Sequence, residues 1–363
     1  MILGASGVAE AAKIQVNDTS FVEVNGYLQN WAVLHLQAPN QEGPGMDFYT
    51  RRARIIIKGQ ATQDVSYMVG LLTSDIGVNG DYTGRTLNPD GWIDYKFSPS
   101  LKVAFGHMIT PFSRAMQSGS KLYSLDLHGS VFKRAGAMSS MRDSGVMFHG
   151  LLADKKIDYR VGVFDGVVSK TGNVVNDNGT PDDPSDDVTT SVTTGLYDTP
   201  RVVGRLAYNV FEAEPEIYLA GSYLGKRKVL TFGLSWDVEP GVGVENGLYY
   251  AAAFDWLADI PMEDNGLTVL GAAYYYGEGG AMPPGLALFN DLGYRIGKVN
   301  PLVGVEMVMP SEGDTGKRTA VLPGVNYWID GHKASIKAQV GAVNANAAED
   351  WTITGVVQSQ IAF

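Results

Sequence analysis

From about residue 20 to the last residue, apolar and polar side chains alternate with a period of two, and no stretch sustains a helical period. Successive side chains of a strand point to opposite faces, so the pattern demands strands with one apolar and one polar surface. Ala334, Ile336, Ala338 and Val340 share one face, with Lys333, Ser335, Lys337 and Gln339 on the other. Val303, Val305, Met307 and Met309 alternate with Gly304 and Glu306, and Ile157, Tyr159, Val161 and Val163 with Asp158, Arg160 and Gly162. Ile93, Tyr95 and Phe97 alternate with Trp92, Asp94 and Lys96. Tyr49, Ala53, Ile55 and Ile57 oppose Thr50, Arg52, Arg54 and Lys58.

Two architectures use such strands. A soluble sandwich buries the apolar faces between two sheets; a closed barrel in a bilayer turns them outward to lipid. Connection lengths separate the two. Short connections near 61–64, 98–100, 153–156, 211–214 and 330–331 alternate with long ones near 74–90, 110–143 and 166–200. Short periplasmic turns at one rim and long outer loops at the other are the habit of outer-membrane barrels. The strands run about 8 to 12 residues, the length that a tilted membrane strand needs. No apolar run is long enough for a transmembrane helix, so a closed barrel is the remaining way to span a bilayer. Counting strands from Phe21 to Phe363 gives seventeen, whereas bacterial single-chain barrels have even numbers. The expected fold is an all-β transmembrane antiparallel barrel of sixteen strands, with eighteen as the alternative; the excess strand arises between Glu216 and Trp256.

Composition fits. The 18 Tyr and 6 Trp suit bilayer interfaces, where an apolar ring and one polar atom are both satisfied. The absence of Cys removes a disulfide scaffold and thiol-ligated metals, and a net charge of -11 argues against a nucleic-acid partner. His35, His107, His128, His149 and His332 form no H-E-x-x-H spacing, and no G-x-S-x-G elbow occurs, so no enzyme is expected. Residues 176–183 put oxygen-bearing side chains around a Gly turn but lack the terminal Glu of a calcium loop. They read as a solvated acidic loop, and no cofactor or metal is expected. Gly7, Ala9 and Ala11 suit a signal cleavage site, so residues 1–12 read as a signal remnant. The rest, 13–363, is a single barrel with a constriction loop at about 110–143 and an acidic outer loop at about 166–200.

If the apolar face meets lipid, the opposite face lines the lumen. It carries Arg52, Arg54, Lys58, Lys96, Lys102, Arg160, Arg205, Arg295, Lys333 and Lys337 against Glu23, Asp94, Asp158, Glu216, Asp255, Asp291 and Glu306. This basic excess in a chain of net charge -11 puts the acid in the loops, as in Asp182, Asp183, Asp186 and Asp187. Basic rings in a narrow wet passage favour anions. The candidate anion-facing set is Arg52, Arg54, Lys58, Arg160 and Arg205 on strands, with Lys121, Lys133, Arg134 and Arg142 from the third long loop. Lys226 and Arg227 fall in an outer loop on this reading, and Lys337 is a lumen charge with little bearing on stability. A slip of one residue would invert any of these assignments.

The chain ends WTITGVVQSQIAF, with Trp351, Ile353, Val357, Ile361 and Phe363 on one face and Thr352, Thr354, Gln358 and Gln360 on the other. An amphipathic last strand ending on Phe resembles the terminal signature that the outer-membrane assembly machinery reads. Arg51-Arg52-Ala53-Arg54 with Lys58-Gly59 and Tyr67, Gly106 through Pro111-Phe112-Ser113, Arg142-Asp143-Ser144-Gly145, and Gly324-Val325-Asn326-Tyr327-Trp328 with His332-Lys333 are spread along the chain. Together they resemble the phosphate-selective porin O and P family in its broad sense. The resemblance implies a homotrimer of sixteen-stranded barrels, each with its own pore and an inward third loop. It does not imply phosphate selectivity, because the dense arginine ladder of the phosphate channels is not evident. The expectation is a porin of the bacterial outer membrane for passive diffusion of small hydrophilic solutes and ions, weakly anion-leaning, with phosphate-type anions among them. An unselective diffusion porin is the alternative, and a soluble or surface all-β binding module a more distant one. Lipid, lipopolysaccharide and the barrel-assembly machinery are the implied partners.

Overall fold

The computed structural model describes residues 12–37, 43–83, 86–118, 123–125, 141–166, 170–176, 188–194, 199–242, 247–277, 284–348 and 350–363. The strands in order are β1 (Ala12–Gln15), β2 (Phe21–Gln37), β3 (Gly45–Thr62), β4 (Val65–Ile76), β5 (Thr86–Ser98), β6 (Leu101–Ile109), β7 (Arg142–Leu152) and β8 (Ile157–Phe164). They continue with β9 (Lys170–Asn176), β10 (Val188–Thr194), β11 (Arg201–Asn209), β12 (Val229–Val242), β13 (Gly247–Met262) and β14 (Asn265–Tyr276). The last are β15 (Gly285–Ile296), β16 (Val299–Pro310), β17 (Arg318–Asp330), β18 (Ala334–Ala345) and β19 (Thr352–Ala362). Consecutive strands from β2 to β8 and from β11 to β19 pair antiparallel; β8 pairs with β11, and β19 returns to β2. Sixteen strands thus close on themselves, and closure leaves no unpaired sheet edge to satisfy in lipid. β1 pairs with the start of β2, and β9 and β10 form a separate hairpin in the loop after β8.

Exposure is inside out relative to a soluble protein. Ile336 and Val305 are 44% and 37% exposed, whereas their neighbours Lys337 and Glu306 are 2% and 0% exposed. Ile55, Val69, Leu234, Leu292 and Val340 also face outward. Exposed Tyr95, Phe97, Tyr208, Tyr294 and Phe363 stand near the turn-side rim, and Phe48, Tyr250 and Tyr275 near the other. An apolar band between two aromatic girdles is what a bilayer selects. The soluble-sandwich alternative, which needs the apolar face inside, does not survive this.

A β-bulge alters one strand. The register of β2 on β3 skips a residue between Gln29–Arg52 and Asn30–Thr50, so Arg51 is extra. On the turn side of the bulge Arg54 points inward and Ile55 and Ile57 outward. Beyond it the parity reverses: Tyr49 packs against the inward Trp31 at 5.9 Å, and Met46 and Phe48 face out. Strict alternation put Tyr49 on the outward face; the bulge corrects this, as inserted residues do.

The second departure lies between β11 and β12. β11 ends at the rim of the short turns and of Phe363, where a short connection at 211–214 and then a strand through Glu216 are expected. Instead residues 210–228 form an irregular segment that enters the lumen and buries Glu214, Leu219, Ala220 and Ser222. Pro215 removes a ladder donor, which disfavours a strand there. The excess seventeenth strand is this segment. Lys226 and Arg227 therefore belong to the turn-side rim and not to an outer loop, and Arg227 there pairs with Glu216.

Candidate functional site: the constriction of the barrel

After β6 the chain turns into the barrel. Phe112, Ala115 and Met116 join a buried cluster with Tyr274 and Phe289, where Ala253, Ala272 and Ala287 supply the room for an inward loop. Ser113 and Tyr274 hydroxyls bond at 2.9 Å, and the Arg114 amide donates to Asp255 at 3.1 Å. Residues 123–125 dock further round the wall. The Tyr123 carbonyl accepts from Asn326 (2.9 Å) and Lys337 (3.2 Å), Ser124 donates to Asp291 (2.6 Å), and the Leu125 amide donates to Gln339 (2.7 Å). Apolar packing and charge-assisted bonds together fix the loop and occupy the lumen along β12 to β18.

The inserted segment 210–228 meets this loop from the opposite rim. Arg114, fully buried, donates to the Glu214 carboxylate and to the Ala220 carbonyl. Glu214 raises the Arg114 pKa against the opposing effect of its burial, so the guanidinium stays charged. The Leu219 amide donates to the Gln117 carbonyl at 2.8 Å. Arg160 donates to Asp158 at 3.0 Å and to the carbonyls of Ile217 (2.6 Å) and Glu216 (2.9 Å), and so ties the segment to β8. The Tyr218 hydroxyl donates to Asp90; burial raises its pKa, so it remains a neutral donor.

Facing this loop and segment, a cluster of charged side chains stands on the side of β2 to β7. Asp90, fully buried, accepts from Tyr218, from Arg54 and from Arg142 Nε at 3.3 Å. Arg52 stands within electrostatic range of Arg142 and donates to Gln29 at 3.3 Å. Arg51, brought inward by the bulge, pairs with Asp75 at 2.8 Å and lies 5.2 Å over the Trp31 ring. Four guanidinium groups thus gather on one sector of the inner wall, partly removed from bulk water. Charges there are screened by salt less than surface charges. Residues 22–200, just under half of the chain, match the family model described as phosphate-selective porin O and P. The chain is an outer-membrane porin that resembles the O and P family over that stretch.

It is accordingly a channel of the bacterial outer membrane for passive diffusion. Solved porins superpose along nearly its whole length. Salmonella typhi OmpF, solved in complex with daunomycin, has a TM-score of 0.64 at 11% identity, covering 97% of this chain and 100% of that one. Acinetobacter baumannii DcaP, an outer membrane channel, gives 0.59 at 10% identity over 97% and 100%. Pseudomonas putida OprB at high pH gives 0.60 at 7% identity over 94% of each chain. At such identities the likeness is one of fold. No curated protein matches the porin by sequence.

Of the residues singled out from sequence, the porin brings Arg52, Arg54 and Arg142 together. Arg142 is the first residue of β7 rather than part of the third loop. Lys58 sits nearer the turn-side rim, 3.1 Å from Glu23. Arg160 and Arg205 are buried struts: Arg205 grips Asp255 through two bonds of 2.9 and 2.6 Å. Lys121, Lys133 and Arg134 lie outside the described residues, as does the acidic run 182–187. Alternation could not find Arg51, because the bulge is invisible to it. Asp90, Arg114, Glu214 and Tyr218 lay in stretches read as loop, turn or uncertain strand. The Pro215 beside Glu214 was the one available signal for an insertion.

Proposed function

We propose that this porin conducts small hydrophilic solutes and ions with a weak preference for anions, phosphate-type anions among them, set by the arginines of its constriction. The observation that carries the reading is that Arg54 and Arg142 share the carboxylate of Asp90, with Arg52 within electrostatic range of Arg142 and Arg51, paired with Asp75, beside them. Positive groups lining a narrow passage lower the barrier for anions and raise it for cations. Lys121, Lys133 and Arg134 of the third loop extend the basic set in this proposal. Arg160 and Arg205 act in it by holding the wall and the inserted segment in place. The unselective alternative is favoured by Glu23 and Asp94, which share the lumen wall. A homotrimer in lipid and lipopolysaccharide, assembled through the strand ending at Phe363, completes the reading.

The test is the reversal potential of the purified channel across a planar bilayer in a KCl gradient, with and without phosphate. The expected sign is that of anion preference, moved toward cations in an Arg52→Gln, Arg142→Gln double variant. A cation-selective wild type would sink the roles given to these arginines.

A further inference from the structure

On the turn side of these arginines the lumen holds a chamber of about 830 Å³, bounded by β2 to β6, the end of β19 and residues 215–219 of the inserted segment. Its wall is two-natured. Strand register sets Lys58 opposite Met68, and Met68 opposite Trp92, in one row across three strands. Paired side chains stand about 4.5–5.5 Å apart, so the row runs roughly 10 Å from cation to indole. Ile56 and Ile217 add to the apolar side, and Tyr218 meets the Trp92 ring edge-on at 6.3 Å.

The polar side is short of acceptors rather than donors. Each carboxylate on the wall is already engaged: Glu23 by Lys58 at 3.1 Å, Asp94 by His149 at 2.9 Å, and Glu216 by Arg227. Lys102 has no carboxylate partner among the described residues. A passage for inorganic ions alone has no use for an indole and a thioether in line with a lysine. A buried apolar shelf beside such a cation suits a solute that has both an apolar body and an anionic head.

We propose that this chamber is a binding subsite for small organic anions, a carboxylate borne on an aryl or short alkyl body. The carboxylate takes the Lys102 or the Lys58 ammonium, while the body lies on Met68 and Trp92. The proposal rests on the anion preference argued above and adds the class of solute. It makes the channel retain such solutes briefly before the constriction, where a wide pore would pass them unmarked.

The test is single-channel recording of the full chain in a planar bilayer, with benzoate, acetate, phosphate or benzylammonium added on the turn side. Benzoate is expected to interrupt the current at a concentration about fivefold lower than acetate, the scale of one aromatic contact. It should also act below phosphate and benzylammonium. Trp92→Ala and, separately, Lys102→Gln should each raise the benzoate concentration required relative to that of acetate in the same channel. Lys102→Gln keeps the test available if the tryptophan variant does not assemble. Benzoate acting no better than acetate, or indifference to Lys102→Gln, would overturn the subsite. The reversal potential of the same channels reports the anion reading separately. Anion preference without benzoate discrimination defeats the subsite alone, and cation preference defeats both.

Discussion

At the scale of single residues, burial decides what each side of a strand does. Ile336 faces outward and Lys337, one residue on, is fully buried, with its ammonium on the carbonyls of Tyr123 (3.2 Å) and Ser124 (3.3 Å). Ile336→Arg should cost on the order of 2–4 kcal/mol if it lies near the bilayer midplane, because the guanidinium must be drawn out of water into hydrocarbon. Alternation made Lys337 a solvated lumen charge of little consequence; its position under the third loop reverses that reading. Lys337→Ala should cost about 1–3 kcal/mol, since it removes a charged donor and leaves buried acceptors unmatched. Urea unfolding of the barrel in liposomes measures both. An unaffected Lys337→Ala would mean that residues 123–125 are not held from this wall. The face of each of these residues was legible in the sequence, because the period of two is strict in β18. What Lys337 touches was not, because its partners are more than 200 positions away.

At the scale of elements, the sequence revealed those strands whose alternation runs unbroken and hid the places where it is interrupted. The bulge at Arg51 adds one residue, flips the parity beyond it, and turns a run of arginines into an inward cluster. The segment 210–228 hides more deeply. Ile217 and Leu219, spaced two apart, imitate a strand, while their packing against a loop inside the lumen requires no strand at all. Replacing 214–223 by a short turn should therefore raise single-channel conductance while the barrel still closes through β11 and β12. An unchanged conductance would show that this segment does not bound the passage. The terminal strand supports a separate prediction. Phe363 exchanges both backbone hydrogen bonds with Gly26 (3.0 and 2.9 Å), and a side chain at Gly26 would strike the Phe363 ring at 2.6 Å. Deleting Phe363 removes the last rung of the β19–β2 closure together with the apolar end that the assembly machinery is expected to read. Folded barrel in outer-membrane fractions should fall while synthesis continues, as heat-dependent gel migration would report. Normal amounts of folded barrel would refute that role.

At the scale of the whole molecule, cations and carboxylates share the inner wall: buried Asp and Glu outnumber buried Arg and Lys among the described residues, which corrects the expectation of a basic excess there. Within that wall, one sector gathers Arg51, Arg52, Arg54 and Arg142. The inward face of Arg52 and Arg54 was legible from alternation; the carboxylate beside them was not, because Asp90 lay at the edge of a stretch read as loop. Asp90 is the lever by which the proposal can be tested without removing a cation. It is fully buried and accepts hydrogen bonds from Arg54, Arg142 and Tyr218, so Asp90→Asn keeps an acceptor while deleting one negative charge. The anion-to-cation permeability ratio should rise in this variant, since the guanidinium groups then act on the passage with less compensation. The rise should be largest in dilute salt, where the Debye length is about 10 Å at 0.1 M, and should shrink toward 1 M, where it is about 3 Å. Reversal potentials at the two ionic strengths supply both readings. A ratio that falls would mean that Asp90 serves chiefly to hold Arg54 and Arg142 in line. A ratio that rises equally at both salt concentrations would mean that the change is one of pore shape and not of field.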